Sequence, residues 1–161
     1  MAYKTVVVGT DGSETASRAV RHAGQLSGQY DARLVIVSAY TAHHASGMDH
    51  LAGTPPEEIA RKQAEVPEEL RWTLTDRAQA ETLASEGRKL AKDAGAGEVV
   101  VSSDAGDPAE VILETSKYFN GELIVVGSVG LAGTSRFFLG SVATAVLHHA
   151  PCDVLVVHTT D

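Results

Sequence analysis

Five short apolar runs punctuate the chain: Thr5-Val-Val-Val8, Leu34-Val-Ile-Val37, Val99-Val-Val101, Leu123-Ile-Val-Val126 and Val154-Leu-Val-Val157. Each is continuous rather than alternating and rich in β-branched residues. That is the pattern of strands covered on both faces, as in a parallel sheet flanked by helices. The intervening stretches carry the helical period. Ala16, Ala19, Val20, Ala23 and Leu26 recur at three- and four-residue spacing and predict an amphipathic helix over 13–28. Asp11-x-x-Glu14 reads as the capping pair at its start. A longer helix is expected from Thr75 to Ala94, stopped by Gly95. Asp107-Pro108-Ala-Glu110 combines an N-cap, a first-turn proline and a third-position acid, and predicts a helix to Phe119, ended by Asn120-Gly121. A last helix follows Gly140-Ser141 and stops before Pro151. Strands alternating with helices give an α/β fold with right-handed crossovers, and residues 1–161 read as a single domain.

Residues 41–72 break the alternation. They hold Pro55-Pro56, Pro67, His43-His44 and mixed charges without clear periodicity, although Glu57-Glu-Ile-Ala-Arg-Lys-Gln63 has the composition of a short helix. A connection of this kind is expected to be a lid, a binding loop or a mobile surface element.

Composition narrows the function. The net charge of −8 argues against bulk attraction to nucleic acid or an anionic membrane, so a negatively charged ligand has to be held by local donors. The single cysteine, Cys152, rules out an intramolecular disulfide and fits a reducing compartment. Met1-Ala-Tyr-Lys leads directly into the first strand, with no secretory pattern and no run long enough to span a bilayer. A cytoplasmic protein is expected.

The richest chemistry lies between the fourth strand and the last helix, in Gly127-Ser-Val-Gly130-Leu-Ala-Gly-Thr-Ser-Arg136-Phe-Phe-Leu-Gly140-Ser141. Glycines let backbone N–H groups turn towards an anion, by leaving room and by accepting positive φ. A helix start adds unpaired donors and the positive end of its dipole. Turn formation alone also accounts for single glycines; three of them with a terminal hydroxyl point to phosphate. If the strand order is 3-2-1-4-5, this loop faces Gly9-Thr10-Asp11-Gly12-Ser13 across the point where the order reverses, the usual ligand position in open α/β sheets. Asp11 then either meets a ribose hydroxyl or base amino group, or simply caps the first helix. Neither a Walker-type lysine loop nor G-x-G-x-x-G is present, and Arg136 is the one cation in the glycine-rich loop. Binding is therefore expected rather than fast phosphoryl transfer, and no catalytic residue is assigned. No metal site is assigned either: His43, His44 and His50 lack regular ligand spacing, and the adjacent His148 and His149 point about 100° apart on a helix. Ser141, His149 and Asp11 can be written as a triad, but no nucleophile elbow supports it. Cys152 reads as a small buried hydrophobe.

The pattern G-x2-G-x9-G-[ST], met by Gly127, Gly130, Gly140 and Ser141, resembles the nucleotide-binding motif of the universal stress protein family. Val6-Val-Val-Gly-Thr-Asp11-Gly-Ser13 is similar to the family's first strand and loop, and Pro151-Cys-Asp-Val-Leu-Val-Val-His158 to its last strand. The resemblance implies a doubly wound, five-stranded parallel sheet of order 3-2-1-4-5 with helices on both faces, the adenine nucleotide alpha-hydrolase-like fold. It also implies a homodimer through residues 153–159 and a stress-linked regulatory role. Family members that keep this glycine pattern bind ATP, while Ser38-Ala39-Tyr40 and the last strand look like an actinobacterial branch that binds cyclic AMP. Carried over, Thr10 and Asp11 face the adenosine, Ala39 lines the adenine pocket, and Val126 and Gly127 lie under the ribose. Gly130, Gly140, Ser141 and Val142 surround the phosphates, with Arg136 nearby. The expected ligand is ATP, with Mg2+ to offset its charge, and cyclic AMP is the close alternative. Slow ATP hydrolysis as a timer, or a dimeric interaction module without ligand, are the remaining functions.

Overall fold

The computed structural model describes residues 2–41, 68–129 and 139–158, the stretch 68–75 by its backbone only. Among these residues five strands and four helices alternate: β1 (Thr5–Gly9), α1 (Glu14–Tyr30), β2 (Arg33–Tyr40), α2 (Glu68–Asp93), β3 (Val99–Ala105), α3 (Pro108–Tyr118), β4 (Leu123–Gly127), α4 (Ser141–His149) and β5 (Asp153–Val157). All strand pairings are parallel, in the order β3-β2-β1-β4-β5. The expected doubly wound sheet is the observed one. Val7 stands beside both Val35 and Ile124, so the order reverses at β1.

Side-chain alternation along the strands builds two cores. Val6, Val8, Leu34, Ile36, Leu123 and Val125 face α1 and α2; Val7, Val35, Val37, Ile124 and Val126 face α3 and α4. Both sets are buried, which is why the runs are apolar without a break. Burying each such side chain contributes about 1.5–3 kcal/mol.

The helices sit close. α2 lays the small residues Ala80, Ala84, Gly87 and Ala91 towards the sheet at heptad-like spacing. On α1, a side chain at Gly24 would come within 2.8 Å of the Ala91 carbonyl oxygen, and one at Gly28 would run into that of Gly95. These two glycines let α1 and the end of α2 touch backbone to backbone.

Several expected boundaries move. α1 starts at Glu14 and runs to Tyr30, where Asp31 takes the left-handed conformation (φ 52°) usually left to glycine. α2 begins at Glu68, inside the stretch expected to be irregular, so the break in the alternation is shorter than 41–72. The proposed helix at 57–63 lies outside the described residues. β3 runs to Ala105 because Ser103, Asp104 and Ala105 continue the ladder beside Ser38, Ala39 and Tyr40. Among the described residues no helix is long and apolar enough to cross a membrane.

Candidate nucleotide-binding site

At the carboxyl ends of β1 and β4 lies a cavity of about 500 Å3. Its walls are largely aliphatic. Val37 and Ala39 come from β2, Ile112 from α3, and Val126 from β4. Thr10 and Asp11 stand on the β1 loop, and Gly127, Gly140, Ser141 and Val142 bring in the β4 loop and the first turn of α4. Eight expected site residues thus meet around one space: Thr10, Asp11, Ala39, Val126, Gly127, Gly140, Ser141 and Val142. Gly130 and Arg136 lie outside the described residues, as do His43, His44 and His50.

The β1 loop is held by its own side chains. The Thr10 amide donates to the Val37 carbonyl at 2.8 Å, tying the loop to β2. Asp11 Oδ1 accepts from the Ser13 amide at 3.0 Å and from the Ser13 hydroxyl at 2.5 Å. Ser13 Oγ in turn accepts from the Ala16 amide at 3.1 Å. The N-cap of α1 is therefore Ser13, which corrects the expectation that Asp11 caps it in a box with Glu14. Gly12 explains the shift: at φ 77° it turns the chain once more before the helix begins. Asp11 is instead the acceptor of an Asx turn, with its carboxylate steadied at the cavity's edge.

Main-chain bonds hold the β4 loop. The Ser128 amide donates to the Val157 carbonyl at 2.9 Å, continuing the ladder with β5. The Ser128 carbonyl accepts from the Gly140 amide at 2.7 Å, so the chain that leaves at Ser128 returns against it. Gly140 is the N-cap of α4, and among the described residues no side chain caps that helix end. Its first-turn amides, with their share of the helix dipole, border the cavity. Gly140 has φ −61°, so the expectation that it needs positive φ is corrected. Any residue can adopt that backbone; what glycine supplies there is the missing side chain.

Other candidates separate. Ser141 and His149 occupy opposite ends of α4, about 12 Å apart at ~1.5 Å per residue, so no triad forms. His148 and His149 are exposed, their ring centroids 6.4 Å apart, and His149 Nδ1 faces the Ala145 carbonyl at 2.9 Å. Cys152 is half-buried beside Val154 and the Ser116 hydroxyl (3.8 Å), and burial pushes its thiol pKa up. It packs rather than reacts. Sequence reasoning missed Pro108, Ile112 and Val129 as lining residues. The first two could have been found, because a helix that follows a parallel strand begins at the strands' carboxyl edge.

A profile of the universal stress protein family matches residues 2–158. The chain belongs to the universal stress protein family. Universal stress protein Rv1636 of Mycobacterium tuberculosis is 35% identical over 159 residues, covering 99% of each chain. A crystal structure of a universal stress protein in complex with cAMP matches with a TM-score of 0.68 at 31% identity, covering 99% of this chain and 100% of that one. A universal stress protein from Archaeoglobus fulgidus in complex with dAMP matches with a TM-score of 0.63 at 19% identity, covering 97% and 98%; that likeness bears on the fold alone.

Proposed function

We propose that this universal stress protein family member is a cytoplasmic, single-domain regulatory protein that binds an adenine nucleotide in the cavity between the β1 and β4 loops. One observation carries the reading: an aliphatic cavity of about 500 Å3 ends on the first turn of a helix that no side chain among the described residues caps. The volume lies within the usual range for small-molecule sites, roughly 300–1,000 Å3. An apolar slot suits a purine, and the amides of α4 suit its phosphate. Thr10 and Asp11 would face the adenosine, Ala39 the adenine, and Val126 and Gly127 the ribose. Gly140, Ser141 and Val142 would take the phosphate, together with Gly130 and Arg136.

The sequence placed ATP ahead of cyclic AMP. The lining shifts the balance. Among its described residues Asp11 is the one charged group, and it is negative. Cyclic AMP carries a single negative charge, which backbone donors and a helix dipole can offset. The related structure in complex with cAMP supports the same choice. ATP, with about four negative charges, would need Mg2+ held mainly by its own phosphates and water. A competition titration of the two nucleotides, with Mg2+ and then with EDTA, tests this. ATP affinity should drop sharply in EDTA and cyclic AMP affinity should not; equal ATP binding in EDTA would overturn the charge reading. Mass spectrometry of whatever the purified protein releases on denaturation tests the site itself, and no released or added nucleotide would favour a ligand-free interaction module. Slow hydrolysis as a timer is checked by single-turnover assay with ATP.

The regulatory unit we propose is a homodimer joined through residues 153–159. β5 is an edge of the sheet, its residues Val154–Val157 are half-buried in the single chain, and the exposed Leu147 lies on the neighbouring α4. An apolar edge strand offers unpaired donors and acceptors to its own copy. Leu155→Pro removes a donor and should convert the dimer to monomer in sedimentation velocity. A wild-type monomer at working concentrations would reject the interface.

A further inference from the structure

The opposite edge of the sheet has a different character. β3 is the outer strand there, and its Ser102 and Asp104 lie on the same side as Val100, which packs into the α3 and α4 core. α3 packs mainly over β1 and β2. Its stripe at 111, 114, 115 and 118 therefore looks across an open groove towards Ser102 and Asp104. The groove encloses about 680 Å3. Val111 and Thr115 are buried and form its floor. Asp104 stands on the strand wall and accepts from the Ser102 hydroxyl at 2.9 Å, while Glu114 stands on the helix wall. Tyr118 and Phe119 contribute two aromatic rings, and among the described residues no lysine or arginine lines the groove. Tyr118 is 81% exposed, yet its ring is braced edge-on against Phe119 with centroids 4.9 Å apart.

We propose that this groove and the β3 edge form a docking surface for a basic, extended segment of a partner protein, which adds to the sheet beside β3. Two observations meet in this occupant. An edge strand selects an extended chain, because only that conformation matches its row of backbone donors and acceptors. Alternate side chains of the added strand then project onto the α3 side, over the groove. Carboxylates on both walls and exposed aromatic faces select those side chains to be cationic. An arginine or lysine stem lies on the rings, with its head between Asp104 and Glu114. Acidic or aliphatic segments meet repulsion or unpaired carboxylates there. The surface is separate from the nucleotide cavity, so it does not depend on which nucleotide is bound.

The probe is a labelled peptide alternating arginine with threonine, titrated by fluorescence anisotropy into the full chain at about 0.15 M salt, where long-range attraction is screened. Its counterpart with glutamate for arginine is the control. The arginine peptide should bind and the glutamate peptide should not. Asp104→Asn combined with Glu114→Gln should weaken binding roughly tenfold, whereas Glu86→Gln, an equally exposed acid on α2, should leave it unchanged. Hydrogen exchange should slow at β3 amides between Val99 and Ala105 on binding. Equal weakening by Glu86→Gln would mean general attraction to a chain of net charge −8 and would overturn the proposal. So would β3 amides that the peptide does not slow, or that are already protected without it. Spermidine binding as tightly as the peptide would overturn strand addition, since a cation alone would then suffice.

Discussion

Two helices begin within the same cavity rim, and they begin differently. α1 brings its own cap: Ser13 accepts from Ala16, and Asp11 is bonded to Ser13. α4 begins at a glycine and has no side-chain cap among the described residues. Orphan amides at a helix start are normally satisfied locally, as in α1. At α4, at the end of an apolar cavity, no described side chain takes them, which forgoes a little stability and leaves donors for something that arrives from outside. The contrast teaches that the anion end of such a site is recognised by what the helix lacks, and its adenosine end by what the loop holds in place.

The strongest way to break this contrast is to give α4 a cap. Gly140→Asp places a carboxylate where the nucleotide's phosphate would go. Calorimetric titration should show loss of adenine-nucleotide binding, while the thermal midpoint holds or rises, because an acidic cap in place of glycine gains a few tenths of a kcal/mol. Gly140→Val should also remove binding, by bulk alone and with circular dichroism unchanged. Retained affinity in both would show that the phosphate goes elsewhere. A smaller change sharpens the same point. Ser141→Ala should cost about 1–2 kcal/mol of nucleotide affinity, since one hydrogen bond is lost while the amides remain. An effect as large as that of Gly140→Asp would make the hydroxyl, not the helix start, the main anchor. The smallest effect belongs to α1. Ser13→Ala should lower stability in urea by about 1 kcal/mol through the lost cap and weaken nucleotide binding modestly, as Asp11 loses the hydroxyl bond and keeps only the amide one. If binding is untouched, Asp11 does not need the hydroxyl bond.

The architecture was largely readable from the chain because the three central strands, β2, β1 and β4, are buried on both faces. Residues such as Val7, Val35 and Ile124 had to be apolar whichever side they faced, and the helical segments between them were long and periodic. Eight of the residues that the glycine pattern and the family resemblance nominated line one cavity. What could not be read has identifiable causes. Asp11 and Ser13 are both good caps, and only the extra turn at Gly12 decides between them. Gly140 signals a helix start in sequence, but its φ depends on how the returning chain meets Ser128. The outer reach of β3 into Ser103, Asp104 and Ala105 is polar and exposed, because an edge strand's end has little to bury against. Asp104 thus gave no strand signal, and the groove it lines was invisible in the sequence.

Ser128 ties two secondary structures together with one peptide unit on each side, the amide to β5 and the carbonyl to the start of α4. Neither bond involves a side chain, so the knot is indifferent to which residue stands there, proline excepted. The exit and the return of the chain are clamped to each other, and the span between them is fixed at its mouth. The cost of closing a longer span grows only slowly with its length. The clamp alone therefore sets where α4 begins, and the span's own residues are left to the ligand: Val129 lines the cavity, and Gly130 and Arg136 belong to the proposed phosphate contacts.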